Sequence, residues 1–361
     1  MHSIELLSLI SILMFVQPIS FLLLFGVLRN GVEATVFRHD IRANGFRTEY
    51  DDQYISLTIK APAGHIIRYE PHASSEHVHH IMLAGCEQPY HPIGLNEGPA
   101  TCLGRERYLY SWAKNAGNLS LPQDVAYKVG HENDSIQYLV MIIHYANKMT
   151  GDYKDNSGLT LVMSKEPTKY NAVEYLFVSG DEIPPGQENY KMNISCHYRS
   201  NTKAIPFYYR VHTHDHGKIV SAFIIDPKHK PHLVGKRHPL WPQSFEKVID
   251  PVPAQQGAIL AAQCIYNTTG ERERLQMGMT NSHEMCNFQI MFYYPAEDPD
   301  PFPNSSVCFG NALEEQNLQY PDVKPLPHNQ TLLDFAKNGH SHQHEHGNGH
   351  RHHHEHGDKI R

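Results

Sequence analysis

Three side chains of one predicted strand have the chemistry to bind a metal ion and an anion side by side. The segment Phe207–His214 (FYYRVHTH) is rich in residues typical of β-strands. Alternate residues of a strand point to one face, so Arg210, His212 and His214 share a face with steps of about 6.5–7 Å. Two imidazoles at this spacing can close on one ion, and the guanidinium beside them can hold a substrate carboxylate. A polar strand face with incidental histidines is the other interpretation.

A second group of histidines lies in the segment Glu76–Met82 (EHVHHIM). Adjacent residues of a regular strand point to opposite faces. His79 and His80 can therefore share an ion only where the backbone bends or where they use different ring nitrogens. His144 ends an apolar predicted strand, where an unpartnered histidine would be costly, and it is the candidate third ligand. A hydrogen-bonded core histidine is an equally good interpretation of His144.

A methionine stands beside a cysteine in the polar segment 282–287 (SHEMCN). A thioether is a soft ligand that favours Cu(I), whereas imidazole suits both oxidation states of copper. His212 and His214 with Met285 would form a site of two imidazoles and one thioether, and the other three histidines would form an all-imidazole site. Two sites of different softness indicate a redox pair rather than zinc hydrolysis.

The elements that must position these residues are short predicted strands. They are rich in Val, Ile, Tyr and Phe, and clusters of Pro, Gly, Asn and Asp bound them. Examples are Tyr54–Lys60, Gln137–Tyr145, Gly158–Met163, Phe207–His214 and Phe288–Tyr294. The chain has 24 Gly and 24 Pro and no long segment with a helical period, which predicts an all-β fold made of sandwiches. The polar segment Ser164–Asn171 (SKEPTKYN) is the predicted linker between domains in residues 35–165 and 168–325.

Composition excludes two classes of protein. The 31 Lys and Arg against 38 Asp and Glu give a net charge of −7, which argues against nucleic acid as a partner. With 40% hydrophobic residues and 10% aromatics, the chain is not wholly disordered. Histidine is abundant, with 28 copies. Many of them fall in the low-complexity tail 338–361, which we expect to be disordered and which either captures metal or serves as a solvated spacer.

Several features predict that the protein is secreted or lies in the lumen of secretory vesicles. The apolar start, residues 1–29, reads as a cleaved signal peptide or as a retained anchor, and only the anchor would place the protein on a membrane. The six cysteines have no Cys-x-x-Cys pair, which favours disulfides, although spacing alone allows 15 connectivities. Six glycosylation sequons begin at Asn118, Asn133, Asn193, Asn267, Asn304 and Asn329.

Five segments together resemble the peptidylglycine α-hydroxylating monooxygenase family. They are HVHHIMLAGC (77–86), VMIIHY (140–145), YRVHTHDHGKIVS (209–221), ILAAQC (259–264) and EMCNFQIMFYY (284–294). The resemblance runs in order from about residue 35 to about residue 315. It implies two jelly-roll-type β-sandwich domains that face a solvent-filled cleft, with one copper ion on each. It also implies ascorbate as the reductant and O2 as co-substrate.

The resemblance assigns roles residue by residue. It implies that the electron-supplying copper is bound by His79, His80 and His144. It implies that oxygen and substrate react at a copper bound by His212, His214 and Met285. The carboxylate of a glycine-extended peptide would be held by Arg210, in a site lined by Asn287 and Tyr54. The implied disulfides are Cys86–Cys102, Cys196–Cys308 and Cys264–Cys286.

The sequence departs from the family pattern at several positions. Ser56 and Asn96 stand where one cysteine pair is expected, and Asn156 where a member of another pair is expected. Ile142 replaces a glutamine near the third histidine. Gln289 replaces a tyrosine that helps to hold the substrate carboxylate. An extended segment would place Gln289 on the face of Met285, where its amide could donate to that carboxylate.

The implied reaction is hydroxylation of the α-carbon of a C-terminal glycine, the first step of peptide amidation. Because no second catalytic domain follows residue 320, we expect a separate lyase chain to cleave the product. One alternative is hydroxylation of a phenylethylamine, as by dopamine β-monooxygenase, but a cationic amine gains nothing from Arg210. The other alternative is a non-catalytic secreted protein that binds copper or zinc, which the His-rich tail favours.

Overall fold

The fold of the protein is almost entirely β. The computed structural model describes residues 36–132, 134–278 and 283–322. Within these residues, the single α-helix is α1 (Ala312–Glu315). The all-β class predicted from the sequence is therefore confirmed.

The N-terminal half, residues 36–164, forms one β-sandwich. Its first sheet has the order β5-β2-β9-β4-β6, with strands β2 (Gln53–Lys60), β4 (His80–Cys86), β5 (Gly94–Glu97), β6 (Glu106–Ala113) and β9 (Tyr138–Tyr145). Its second sheet has the order β1-β10-β3-β8, with β7 paired to β3. These strands are β1 (Val36–Arg42), β3 (Gly64–His72), β7 (Leu119–Ser120), β8 (Val125–Val129) and β10 (Gly158–Ser164). Apolar side chains of both sheets share one buried core.

The C-terminal half, residues 170–308, forms a second sandwich. One sheet has the order β12-β17-β14-β15, with β12 (Tyr190–His197), β14 (Gly217–Ile225), β15 (Pro231–Arg237) and β17 (Ile259–Tyr266). The other has the order β11-β18-β13-β16, with β19 parallel to β11. Its strands are β11 (Tyr170–Val178), β13 (Ile205–His212), β16 (Glu246–Lys247), β18 (Asn287–Pro295) and β19 (Val307–Cys308). A separate core fills this sandwich.

The two sandwiches are joined by backbone pairing and by side-chain packing. The start of β11 pairs with β8 in parallel, so one continuous sheet crosses from one half to the other. Met291 of β18, with 0% of its surface exposed, packs into the N-terminal core. A partly buried ion pair between Arg107 of β6 and Asp300 also crosses the boundary. This joint fixes the face of β11, β13 and β18 against the N-terminal sandwich.

The observed strands lie close to the predicted ones. The structure has Gln53–Lys60, Tyr138–Tyr145, Gly158–Ser164 and Asn287–Pro295 where four strands were expected. The fifth prediction, a strand over Phe207–His214, is wrong at its ends, because the observed strand β13 spans Ile205–His212. His214 lies beyond the strand, in a segment held by side-chain hydrogen bonds rather than by a neighbouring strand. The predicted linker coincides with the connection between β10 and β11.

Three disulfides are present, and they are the pairs that the resemblance implies: Cys86–Cys102, Cys196–Cys308 and Cys264–Cys286. Each lies within one sandwich. Ser56 and Asn96, where a fourth pair is expected by resemblance, are direct cross-strand partners on β2 and β5. The two residues thus lie opposite each other, as the two halves of a lost disulfide would.

Several predictions fall on residues that the structure does not describe. They are the signal or anchor in residues 1–29, the tail 338–361, Asn133 and Asn329. Within the described ranges no helix is long and apolar enough to cross a membrane.

Met291 is expected to couple the stability of the two sandwiches. Met291→Ala removes buried methylene groups from a core shared across the boundary, which costs about 2–5 kcal/mol of unfolding free energy. Trp112 lies in the N-terminal sandwich and Trp241 in the C-terminal one. In variants that keep only one of the two tryptophans, tryptophan fluorescence during denaturant unfolding follows one sandwich at a time. We expect coincident transitions in the parent protein and separated transitions after Met291→Ala. Met192→Ala, deep in the C-terminal core, is the control. Transitions that remain coincident with Met291→Ala would contradict this role.

Candidate metal centres

The first candidate centre is a convergence of three imidazole nitrogens in the N-terminal sandwich. The Nδ1 atom of His79 lies 3.1 Å from that of His80 and 3.2 Å from that of His144. His80 and His144 are cross-strand partners on β4 and β9. His79 precedes β4, in a bend where its backbone N–H donates to the carbonyl of His144. This bend brings two adjacent histidines to the same point.

The protonation state of this cluster suits a metal ion. Burial, followed by the charges of neighbouring histidines, lowers the pKa of His79 to about 4 and that of His80 well below its usual value. Burial also lowers the pKa of His144. At neutral pH the three rings are uncharged, so each ring has one nitrogen with a lone pair that can bind a metal ion. Nitrogens about 3 Å apart match ligands at about 2 Å from one shared ion.

Two residues that the sequence did not single out as ligands hold His144 in place. The Nε2–H of His144 donates to the Asp52 carboxylate at 2.7 Å, which leaves Nδ1 free to bind a metal. The ring of Tyr54 stacks on His144, with centroids 3.9 Å apart and planes 4° apart. Tyr54, which the resemblance places at the substrate site, therefore contacts the histidine cluster directly.

The second candidate centre lies at the end of β13. The rings of His212 and His214 are 5.3 Å apart. The Nδ1–H of His212 donates to the side-chain oxygen of Gln243, and that of His214 to the carbonyl of His283. Both rings therefore keep Nε2 free for a metal ion. Burial and the charge of Arg210 lower the pKa of His212 well below its usual value.

A fully buried carboxylate, Glu284, connects the backbone of His214 to that of Met285. Its Oε1 atom accepts from the backbone N–H of both residues, and Oε2 accepts from the backbone and ring N–H of His216. The outer ring nitrogen of His216 contacts Glu271. The hydroxyl of Tyr266 donates to the carbonyl of Met285 at 2.6 Å. One carboxylate thus holds the backbone of a predicted histidine ligand and that of the predicted methionine ligand.

Beside His212, Arg210 is held by a buried network of amides. Its Nε and Nη2 donate to the carbonyl and the side-chain oxygen of Gln243, and Nη1 donates to Oε1 of Gln289 at 2.9 Å. The Nε2 of Gln289 donates to Ser111 and to Glu174. Both amide hydrogens of Gln289 are therefore engaged within the protein, and its oxygen faces Arg210.

The two candidate centres face each other across the boundary between the sandwiches. Electrostatic coupling to His214 lowers the pKa of His79, and coupling to His212 and Arg210 lowers the pKa of His80. Beside the centres the boundary is closed by direct contact, because Gln289 of β18 reaches Ser111 of β6. Only 6% of Arg210 is exposed. Arg210 therefore lies at a closely packed part of the boundary.

The remaining predicted residues are distributed as follows. Asn287 is the cross-strand partner of His212, and its amide donates to the carbonyls of Cys286 and Phe177. Ile142 is buried opposite Met82. Of the described sequon asparagines, Asn193 is half-buried on β12, and the others are exposed: Asn118, Asn267 and Asn304.

Four side chains that hold the site were not predicted from the sequence: Asp52, Glu174, Gln243 and Glu284. Two had a usable signal. Glu174 is the one acidic residue in the apolar segment YNAVEYLFV, and Glu284 precedes Met285 directly. Gln243 and Asp52 lie in polar segments far along the chain from their partners, where nothing in the sequence distinguishes them.

Comparisons with known proteins agree with this architecture. The family model described as "Copper type II ascorbate-dependent monooxygenase, N-terminal domain" matches residues 37–151, and the model of the C-terminal domain matches residues 172–321. The chain is 34% identical over 305 residues to "Peptidyl-glycine alpha-amidating monooxygenase" of Mus musculus, which covers 82% of this chain and 30% of the relative. It is 36% identical over 275 residues to the Rattus norvegicus enzyme, covering 74% and 28%. The chain thus spans less than a third of the length of these relatives.

A more distant relative is "DBH-like monooxygenase protein 1" of Homo sapiens. It is 26% identical over 313 residues, which cover 77% of this chain and 49% of the relative.

Loss of the carboxylate behind His144 should weaken the first centre selectively. Asp52→Asn removes the charged acceptor that orients the ring, and we expect copper affinity at His79–His80–His144 to fall about 10–100-fold. Competition with a Cu(I) chelator measures this affinity. Asp51→Asn, at an exposed neighbour that accepts from the backbone of Lys148, is the control. Equal affinities in the two variants would show that Asp52 does not orient the ligand.

Loss of the Glu284 carboxylate should weaken the second centre. In Glu284→Gln, the amide N–H groups would face donors that now bind the carboxylate. We expect copper affinity at His212–His214–Met285 to drop about 10–100-fold, with a smaller copper–sulfur signal in X-ray absorption. Glu271→Gln, which contacts the outer nitrogen of His216, is the matched control. A full copper–sulfur signal in Glu284→Gln would contradict the prediction.

Proposed function

Because the chain belongs to the copper type II, ascorbate-dependent monooxygenase family, we propose that it hydroxylates the α-carbon of a C-terminal glycine in glycine-extended peptides. The observation that carries this proposal is the position of Arg210, buried beside His212 and bonded with it to the same oxygen of Gln243. A peptide carboxylate held by Arg210 would bring the adjacent α-carbon to the second centre.

We assign one copper ion to each histidine cluster. The first would be held by His79, His80 and His144, and the second by His212, His214 and Met285. Neutral rings, fixed tautomers and one soft thioether support a copper pair over two equivalent zinc sites. Copper, once bound and reduced by ascorbate, supplies the electrons and activates O2.

The chain's own residues bind and orient the peptide. Arg210 has five N–H groups, of which three are used by Gln243 and Gln289, so one on each terminal nitrogen is left for a carboxylate. A charge-assisted pair of this kind fixes direction as well as affinity. Asn287 and Tyr54 flank the two centres and are assigned to the lining of the substrate site. The closed packing around Arg210 restricts water there, which strengthens its interaction with an anion.

The two rival functions are less well supported. A phenylethylamine carries a cation at neutral pH, and a buried guanidinium beside the reacting centre would repel it. A protein that only stores copper needs neither Arg210 nor the amides that hold it in place.

We also propose where the protein acts and how it is divided. Three disulfides favour an oxidising compartment, hence the secretory-vesicle lumen or the extracellular space. Each sandwich is assigned to one domain, in residues 35–165 and 168–325. Cleavage of the hydroxylated peptide to amide and glyoxylate is assigned to a separate lyase active site.

The direct test is mass spectrometry of a glycine-extended peptide after incubation with the protein, copper and ascorbate. We expect the peptide to gain one oxygen atom. A protein with both centres loaded that leaves every such peptide unchanged would overturn the proposal.

Met285→Ala should abolish hydroxylation while the first centre keeps its copper. The reason is that Met285 is the soft ligand of the centre where the substrate reacts. Product formation and the copper–sulfur signal in X-ray absorption should be lost together. Met192→Ala, a buried core methionine, should keep both. Near-normal activity of Met285→Ala under saturating ascorbate would show that the assignment of the second centre is wrong.

Arg210→Gln should raise KM for a glycine-extended peptide about 10- to 100-fold, because a charge-assisted bond to carboxylate contributes about 1.5–3 kcal/mol. Steady-state kinetics on the peptide and on a substrate with a blocked carboxylate separate recognition from structure, since only the first should be affected. Arg199→Gln, at an exposed position of the same sandwich, is the control. Equal losses on both substrates would make Arg210 structural.

A further inference from the structure

The boundary between the sandwiches contains a carboxyl group that the proposed reaction does not use. Glu174 lies in β11 and is 1% exposed. Its Oε1 accepts from the Gln289 side chain at 2.9 Å. Its Oε2 is buried and has no hydrogen-bonding partner within the described part of the chain. A group so poorly satisfied is costly to bury, so a local function would explain its presence.

Glu174 is connected to the predicted carboxylate grip through one residue. Gln289 accepts from Arg210 with its oxygen and donates to Glu174 with its nitrogen. The second amide hydrogen donates to Ser111, so the amide has one orientation. Glu174 therefore turns the oxygen of Gln289 toward Arg210, and no amide hydrogen is left for a peptide carboxylate. Gln289, at the position where the family resemblance predicts a tyrosine, thus links Glu174 to Arg210 through hydrogen bonds.

The surroundings of Glu174 leave Arg210 as the cation that acts on it. Burial raises the pKa of Glu174 to about 8, and Arg210 opposes this rise. Burial lowers the pKa of Arg210 to about 10. Glu174 also lines a cavity with four charged residues whose charges are paired with one another, Arg107 with Asp300 and Lys128 with Asp134. The tyrosines that face Glu174 have pKa values that burial raises far above neutrality: Tyr69, Tyr108 and Tyr127. They are uncharged across the working range of pH.

Arg210 has titratable neighbours of its own, and none of them is an anion near neutral pH. Burial raises the pKa of Tyr110, so this phenol stays protonated. Burial lowers the pKa values of His80 and His212 well below their usual range, so both rings are neutral. Lys114, whose pKa burial also lowers, is a second cation that acts on Arg210. Glu174 is therefore the carboxyl group that can balance the charge of Arg210.

We propose that Glu174 is a specificity-determining residue of the carboxylate subsite, where its carboxyl group competes with the substrate's carboxylate for the positive charge of Arg210. The inference rests on the proposed function. With a proton on Glu174, Arg210 is an uncompensated buried cation, and a peptide carboxylate is its natural counter-ion. When Glu174 is ionised, its carboxylate balances the charge of Arg210, so Arg210 attracts the peptide carboxylate less strongly.

This competition has a defined dependence on pH. The peptide carboxylate is ionised throughout the range from about pH 6 to about pH 9, and Arg210 remains largely protonated. Glu174 loses its proton as the pH rises through about 8, so KM for a carboxylate substrate should rise there while kcat changes little. If substrate binding shifts the pKa of Glu174 by about one unit, the linked change in KM approaches about tenfold well above both pKa values, and it is about fivefold between about pH 6 and about pH 9.

The test compares the ratio of KM at about pH 9 to KM at about pH 6 among three proteins. We expect a ratio of about five for the parent protein and below about two for Glu174→Gln, which is neutral at both values. Glu182→Gln, an exposed carboxylate of the same sandwich, should keep the parent ratio. A substrate with a blocked carboxylate should give a flat profile in all three, because it does not use the charge of Arg210.

The possible results distinguish a failure of the role of Glu174 from a failure of the proposed hydroxylation. Product formation with the same ratio in Glu174→Gln as in the parent protein overturns the role of Glu174 and leaves the hydroxylase proposal intact. A flat ratio in the parent protein does the same. No product from any glycine-extended peptide overturns the proposed function and this inference with it.

A substrate-free measurement guards against a variant that fails for other reasons. Because the folded-state pKa of Glu174 lies above its unfolded value, the folded protein holds a proton that the unfolded chain has lost. The parent protein should therefore lose stability relative to Glu174→Gln as the pH rises from about 4.5 to about 8, with no further change above that range. Thermal unfolding of both proteins measures this difference. If the difference in Tm between the parent protein and Glu174→Gln stays constant across this pH range, Glu174 is already ionised in the folded protein. That result would overturn the pH-dependent competition.

Discussion

The burial of Arg210 between two β-sandwiches is the constraint on which the site depends. A guanidinium with 6% exposure must find hydrogen-bond acceptors within the protein, and it finds them in Gln243 and Gln289. The same oxygen of Gln243 that accepts from Arg210 also accepts from His212. Cation and candidate ligand are therefore held as one unit. The joint between β8 and β11, with Met291 in the opposite core, keeps this unit against the first centre.

Hydrogen-bond acceptors behind the histidines determine which ring nitrogen is left free at each candidate centre. Asp52 accepts from Nε2 of His144, and so directs Nδ1 to the first centre. At the second centre the acceptors take Nδ1 of His212 and His214, and Nε2 is left for the ion. Glu284 instead accepts hydrogen bonds from the backbone N–H groups of His214 and Met285. Such partners matter because a metal site needs both the right ligands and a fixed ring orientation.

The departures from the family pattern fall into two physical kinds. Ser56 and Asn96 are paired across β2 and β5, so the absence of a disulfide there leaves a local strand contact. Gln289 differs, because it lies in the chain of hydrogen bonds between Arg210 and Glu174. A change there alters the electrostatics of the subsite. The first kind bears on stability and the second on substrate recognition.

The sequence by itself determined the all-β class, most strand positions and the residue types at both centres. Strand alternation and turn residues are local properties, and a period of two places Arg210 and His212 on one face of β13. His214 lies beyond the end of that strand, so its position depends on Glu284 and His283. Only the tertiary structure decided that His79 and His80 converge on one point, because the bend before β4 depends on a hydrogen bond from the backbone of His79 to that of His144. It alone decided that Glu174, Gln289 and Arg210 form one network. These residues lie on three strands that are far apart in the chain, and their contacts exist because β11, β18 and β13 are neighbours in one sheet.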